Sequence, residues 1–210
     1  MAEAENASPA APAAAGTPAA STAASGSITG KVVFSGTPPA PDPIQMQADP
    51  YCAAHSGTKA SERLVVGAGG ALKNVVVYIK GPKAGSPPAE KALLDQVGCH
   101  YQPHVLAVMA GQAITIKNSD GTLHNVHAMP EKNQGFNLGQ PMQNMSADKT
   151  FANPEVSVKF KCDVHPWMNA YVAVLENPWF AVTGDDGSFT ISNVPPGNYT
   201  LVAWQESLPP

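Results

Sequence analysis

Apolar and polar residues alternate along several short segments of this chain, and no long 3.6-residue pattern accompanies them. The alternating segments are 104–109, 113–117, 156–161 and 170–175, and 29–34 and 74–79 are further strand-like segments. A period of two residues is typical of strands with one buried face. Asp186-Gly187, between apolar runs, predicts a hairpin over 181–191. The pattern predicts an all-β fold of the sandwich type.

Other stretches carry weaker patterns. Residues 38–63 are polar and irregular, and 129–147 predict a long loop rich in Met, Asn, Gln and Gly. The run Leu64-Val-Val before 74–79 favours either a hairpin or two successive strands. The run 90–94, Glu-Lys-Ala-Leu-Leu, favours one or two helical turns.

Composition narrows the class of function. A length of 210 residues suffices for one large or two small domains. The net charge of −4, without a basic block, argues against nucleic-acid binding. No apolar run approaches the roughly 20 residues of a membrane span. Residues 1–27 form an Ala/Pro/Ser/Thr tract that predicts a flexible tether. We hypothesise that a targeting segment preceded this tract and that the tether links the chain to a membrane.

The chain has three cysteines, and the odd number raises the question of which one is unpaired. If Cys162 binds a metal, Cys52 and Cys99 remain as a disulfide pair. Such a bridge implies an oxidising compartment, so we expect a periplasmic or other extracytoplasmic location. The alternative is that Cys52 and Cys99 are both free buried thiols.

The strongest chemical signal is a Cys-x-x-His-x-x-Met run, formed by Cys162, His165 and Met168 between two predicted strands. His124 supplies a second imidazole from an earlier strand end. Two His nitrogens, one Cys sulfur and a weak axial Met are the ligands of a blue-copper electron-transfer site. Each residue alone is an ordinary core or loop residue. Zinc is the competing metal, but the ligands it takes in proteins are Cys, His and carboxylates rather than thioethers.

These motifs resemble the cupredoxin family, and most closely its amicyanin subfamily. The resemblance rests on Leu-His-Asn-Val-His at 123–127 and Cys-Asp-Val-His-Pro-Trp-Met at 162–168, and it covers 72–80 and 100–176. It implies a Greek-key sandwich with His124, Cys162 and His165 as strong copper ligands and Met168 as the axial one. By the same resemblance, Asn125 ties the two ligand loops together near the thiolate.

The resemblance also implies a route for the electron. It would pass through an exposed edge of His165, and an apolar patch with Pro130, Pro166 and Trp167 would dock redox partners.

His127 and three methionines are the other residues that could bind copper. His127 lies three positions after His124, which on a strand places it on the opposite face, so we interpret it as structural. Met129, Met142 and Met145 either capture Cu(I) or pack around the site, and their irregular spacing favours packing.

The flanking segments resemble a carboxypeptidase-regulatory-like β-sandwich. Gly30-Lys-Val-Val-Phe resembles its opening strand, and 183–201 resembles its closing strands. We therefore divide the chain into a tether (1–27), an N-terminal β extension with a disulfide loop (28–69), a cupredoxin domain (70–177) and a C-terminal β segment (178–210).

The sequence thus predicts a type-1 copper protein that carries one electron and is not an enzyme. The expected partners are redox proteins such as a c-type cytochrome or a membrane oxidoreductase. The alternatives are a copper chaperone or scavenger, and a cupredoxin-fold subunit of a larger respiratory or photosynthetic complex.

Overall fold

The computed structural model describes residues 25–57 and 60–208, and nearly all of their regular structure is β. One short α-helix, α1, spans Pro50–His55, and a single 3-10 turn spans Ala68–Gly70. The strands are β1 Gly26–Lys31, β2 Val76–Lys80, β3 Ala92–Val97, β4 His100–Gln102, β5 Val105–Met109, β6 Ala113–Asn118, β7 His124–Met129, β8 Phe136–Gln140, β9 Ser146–Thr150, β10 Glu155–Lys161, β11 Asn169–Leu175, β12 Phe180–Val182, β13 Ser188–Val194 and β14 Thr200–Trp204.

These strands form four sheets in the described residues. The largest has the order β5-β11-β10-β7-β8, and a four-stranded sheet has the order β4-β3-β6-β9. A three-stranded sheet places β2 between β12 and β14, and β1 pairs with β13. Most neighbours are antiparallel, but β5–β11 and β3–β6 are parallel.

The main core lies between the five-stranded and four-stranded sheets. Leu94 and Ile116 reach it from the four-stranded sheet, and Val126, Phe160 and Val172 reach it from the five-stranded sheet. All five side chains are buried. The two sheets therefore form a β-sandwich, and the all-β prediction is confirmed.

The flanking strands add layers outside this sandwich. Alternate residues of β2 point to opposite faces. Val76 packs with Ala173 of β11 against the outer face of the five-stranded sheet. Val77 packs in a separate cluster with Ile191 of β13. The flanking segments therefore build two further layers around β2, and they do not extend either sheet of the main sandwich.

Three local predictions are wrong. Residues 90–94 do not form a helix, because β3 pairs in parallel with β6 and buries Leu94 in the core. The predicted loop 129–147 contains β8 and the start of β9. The β9 sequence, SADKT, shows no apolar alternation, and this strand lies at the edge of its sheet. The turn at Asp186-Gly187 forms, but β12 pairs with β2 and β13 with β1, so 181–191 is not a hairpin.

The irregular segment 38–63 contains α1. Asp49 caps this helix by accepting a hydrogen bond at Oδ1 from the Cys52 N–H, at 3.0 Å. Asp commonly fills this position, since its carboxylate satisfies a free helical N–H.

The predicted domain division stays a prediction, and most of the tether, 1–24, lies outside the described residues. Strand pairing crosses the predicted boundary at 177/178, because β2 lies between β12 and β14. Within 25–57 and 60–208, no helix is long and apolar enough to cross a membrane.

Candidate metal centre

A tight loop between β10 and β11 carries three of the predicted ligands. The Cys162 N–H donates to the Met168 carbonyl at 3.1 Å, and the Met168 N–H donates to the His165 carbonyl at 2.9 Å. These bonds close the seven-residue loop on itself. Cys162, His165 and Met168 are 2%, 2% and 1% exposed. The loop therefore holds a thiol, an imidazole and a thioether inside the protein.

His124 is the first residue of β7, which pairs with β10, and its side chain is fully buried. Its Nδ1 lies 2.9 Å from Nδ1 of His165. Nδ1 of His165 lies 3.8 Å from Sγ of Cys162. One donor atom from each of the three residues falls within 4.8 Å of the others. The structure thus brings together three donors from two separate parts of the chain.

The outward nitrogens of both imidazoles meet carboxylates. Nε2 of His124 lies 2.9 Å from Asp120 Oδ2, and Nε2 of His165 lies 2.8 Å from Asp49 Oδ2. An ionised carboxylate only accepts hydrogen bonds, so each Nε2 carries the proton and donates it. That leaves the two Nδ1 atoms, 2.9 Å apart and beside the sulfur, as the nitrogens that could hold an ion. Such a cluster of donors fits a bound cation, and its soft sulfur with two imidazoles fits copper.

The electrostatics of the site agree with this arrangement. Burial alone would raise the pKa of the Cys162 thiol, but hydrogen bonds with His124 and His165 outweigh it and lower the pKa to about 6. Burial opposes charge on His124, yet Asp120 and Cys162 raise its pKa above the usual range. The site therefore favours a thiolate beside positive charge.

Asn125 connects the two ligand segments. Its backbone N–H lies 3.5 Å from Cys162 Sγ, and the His165 N–H lies 3.4 Å from the same sulfur. Its Oδ1 accepts a hydrogen bond from the Asp163 N–H at 2.6 Å. Two backbone donors thus face the sulfur, and the Asn125 side chain links β7 to the ligand loop.

Met168 and the other methionines lie in different surroundings. Met168 is buried in the same core cluster as Cys162. Met142 is 64% exposed and Met129 is also exposed, so neither belongs to the buried core. Packing of Met129, Met142 and Met145 around the site stays a prediction. His127 pairs with Lys161 across β7 and β10, and its ring hydrogen-bonds to the partly exposed Asp163.

The predicted exposed edge of His165 is wrong. The segment that carries α1 covers this ring, with Asp49 on Nε2 and the Cys52 sulfur 3.8 Å from the same atom. On another side, Trp167 lies 5.0 Å from the imidazole between ring centres, and its Nε1–H donates to the Cys99 carbonyl. His165 is therefore enclosed by its neighbour Trp167 and by Asp49 and Cys52, which are remote from it in sequence.

Sequence reasoning missed both carboxylates. Asp120 lies four residues before His124, but no motif connects its carboxylate to that imidazole. Asp49 lies in the segment treated as irregular, 116 residues away from His165. Its position just before Pro50 marks a helix start, but no local signal connects it to the ligand loop.

Cys52 and Cys99 form the disulfide that the cysteine number predicts, with 47 residues of sequence separation. Cys162 is the free cysteine among the described residues, and it is buried. The bridge joins α1 to the turn between β3 and β4.

Comparisons with known proteins give partial likenesses. A family described as "Polysaccharide lyase family 4, domain II" matches residues 158–209, about a quarter of the chain. A search of curated proteins finds no match.

Several solved structures resemble part of the chain. A copper-containing nitrite reductase from Thermus scotoductus SA-01 is 18% identical over 47% of this chain, with a TM-score of 0.40, and the chain spans only 25% of that protein. A point mutant of amicyanin, in its Cu(I) form, is 23% identical over 47% of this chain and 98% of its own, with a TM-score of 0.36. A purple cupredoxin from Nitrosopumilus maritimus is 22% identical over 40% of this chain and 100% of its own, with a TM-score of 0.35. These TM-scores are low, so the likenesses carry no conclusion about function.

Proposed function

We propose that this protein binds one copper ion at His124, Cys162, His165 and Met168 and carries single electrons. The observation that supports this proposal is that one donor atom from each of His124, Cys162 and His165 lies within 4.8 Å of the other two, in a buried place. Bound to such donors, copper supplies one-electron chemistry between Cu(I) and Cu(II). The residues hold and orient the ion, and they are not themselves oxidised or reduced.

Rigidity of the donors supports a carrier. Each imidazole is fixed at its outer nitrogen by a carboxylate, and the sulfur faces two backbone N–H groups. Outer partners of this kind hold ligands in place and adjust the metal's properties. A site that moves little when the charge changes suits electron transfer, because less reorganisation accompanies each step.

Burial of the donors separates this function from catalysis and from copper delivery. All four proposed ligands are almost inaccessible to solvent. We propose a carrier rather than an enzyme, because an ion held by four protein ligands keeps no open position for a substrate. A chaperone must release its ion to a partner, which an enclosed site with fixed imidazoles opposes.

The proposed setting is an oxidising, extracytoplasmic compartment, and the disulfide supports it. The proposed partners are redox proteins, such as a c-type cytochrome or a membrane oxidoreductase. Weak encounters between such proteins use small interfaces, which permit rapid exchange.

A redox titration of the copper-loaded protein tests this function. We expect a visible sulfur-to-copper band that ascorbate removes and ferricyanide restores over repeated cycles, with one electron per copper. Tight Cu(I) binding without a stable Cu(II) form would contradict the carrier and favour the chaperone. Stable copper binding with no visible band would contradict the proposed ligand set.

A further inference from the structure

Both halves of the disulfide lie beside a carboxylate that holds a proposed ligand. On one side, Asp49 accepts the Cys52 N–H at Oδ1 and the His165 Nε2–H at Oδ2, at 3.0 and 2.8 Å. The Cys52 sulfur itself lies 3.8 Å from His165 Nε2. The Asp49 carboxylate thus connects Cys52 of the disulfide to the imidazole of His165.

The second half repeats this arrangement with different residues. Asp120 accepts the Cys99 N–H at Oδ2 and the Gly98 N–H at Oδ1, both at 2.8 Å. The same Oδ2 lies 2.9 Å from Nε2 of His124. The Cys99 sulfur lies within 4.8 Å of donor atoms of Asp120 and His124.

The bridge therefore closes a continuous ring of contacts around the site. The ring runs from His165 through Asp49 and the disulfide to Asp120 and His124, and the two Nδ1 atoms meet at its inner side. Asp49 and Cys52 belong to a segment that has no strand pairing with the main sandwich among the described residues. The covalent bridge ties that segment to the turn before β4.

We propose that Asp49 is a positioning residue for the copper ligands, held on His165 by the Cys52–Cys99 disulfide. This proposal rests on the proposed function and extends it. The carboxylate fixes the Nε2–H tautomer of His165, keeps Nδ1 free for the ion and covers the ring from water. The disulfide keeps α1 in place, so that the Asp49–His165 contact persists.

The charge of Asp49 gives a direct electronic consequence. A negative group on the outer nitrogen makes the imidazole a stronger donor, which stabilises Cu(II) more than Cu(I). Asp49→Asn removes this charge, while Asn remains a good helix cap. The variant should therefore keep its visible band but lower the ratio of Cu(II) to Cu(I) affinity about tenfold. For a one-electron couple, this is a rise in reduction potential of about 59 mV.

Asp148→Asn is the matched control. This variant also removes a hydrogen-bonded carboxylate, as Asp49→Asn does. The partners of Asp148 are Lys91 and Thr115, however, and neither is a proposed copper ligand. Its potential should remain that of the parent protein. An unchanged potential in Asp49→Asn would overturn the proposal. An equal rise in both variants would also overturn it, because net charge alone would then account for the shift.

A copper-free measurement tests the role of the disulfide. In the parent protein, the His165 Nε2–H proton should be visible by NMR and exchange slowly with water, because Asp49 accepts it. In Cys52→Ala/Cys99→Ala, we expect this signal to broaden or vanish, while the amide signals of β10 and β11 persist. An unchanged His165 signal in that folded variant would overturn the role of the bridge.

The two experiments separate this proposal from the proposed function. If the parent protein binds no copper but its His165 proton depends on the bridge, the function fails and the positioning stands. If the parent is blue and its potential is insensitive to Asp49→Asn, the function stands and the positioning fails.

Discussion

Removing the Cys52–Cys99 bridge should lower the stability of the copper-free protein substantially. The suitable change is Cys52→Ala with Cys99→Ala, because both sulfurs are fully buried. Serine would bury two hydroxyl groups, and each unpaired hydroxyl costs about 1–3 kcal/mol. Alanine therefore reports on the bridge more cleanly.

The magnitude follows from the length of chain that the bridge closes. The cysteines are 47 residues apart. In the chain-entropy account, closing such a loop restricts the unfolded ensemble by about 4 kcal/mol at 25 °C. We expect the free energy of unfolding to fall by about 4 kcal/mol.

Urea unfolding followed by tryptophan fluorescence measures this change. Copper is removed first, because a ligand that binds only the folded state adds its own stabilisation. Without the bridge the unfolded chain expands, so the dependence of the unfolding free energy on urea should become steeper. Cys162→Ala is the control, because it removes a buried sulfur without removing a cross-link. A loss below about 1 kcal/mol with an unchanged slope would refute the account, since a loop of this length should contribute several times more.

Three other predictions concern single side chains. In the copper-free protein, thiolate absorbance at 240 nm, taken against Cys162→Ser, should titrate near the pKa of about 6; a midpoint near the ordinary 9.0 would contradict the hydrogen bonding described. Glu155→Gln should lower the unfolding free energy at pH 7 by about 1.5 kcal/mol, because Glu155 accepts the Glu131 and Lys132 N–H groups. Burial would raise the Glu155 pKa, but these bonds lower it. The difference in unfolding free energy between the parent and Glu155→Gln should therefore persist above pH 4.5, the ordinary pKa, and shrink as the pH falls below it. A difference that stays constant with pH in urea titrations would contradict this. Met168→Gln should shift the reduction potential more than it weakens copper binding, and an unchanged potential in voltammetry would show that Met168 is not axial.

The strands of the main sandwich were predictable where one face is buried. β6 and β10 alternate apolar and polar residues because each contributes alternate side chains to the core. β5 and β11 are largely apolar instead, because their outer face is also covered, by the layer that contains β2. β9 was not predictable, since Ser146–Thr150 is held at a sheet edge by backbone pairing with β6 rather than by apolar burial. β3 was misassigned, because tertiary pairing overrides the weak helix preference of its residues.

The candidate site divides in the same way. Cys162, His165 and Met168 were recognisable because one short loop carries them with regular spacing. The carboxylates were not recognisable, because Asp49 and Asp120 act on imidazoles through contacts that only the folded chain creates. The enclosure of His165 likewise depends on α1 and the disulfide, which are remote from the ligand loop in sequence. Residue type and spacing thus indicated the donors, and the fold determined what surrounds them.

The electronic absorption spectrum of the protein with one equivalent of Cu(II), recorded beside Cys162→Ser, tests the central claim most directly. We expect an intense visible band in the parent protein, because the Cys162 thiolate donates to copper in a site with His124 and His165. The serine variant should lose this band and keep its β-rich circular dichroism. A parent protein without the band, or a serine variant that retains it, would contradict the proposed copper centre.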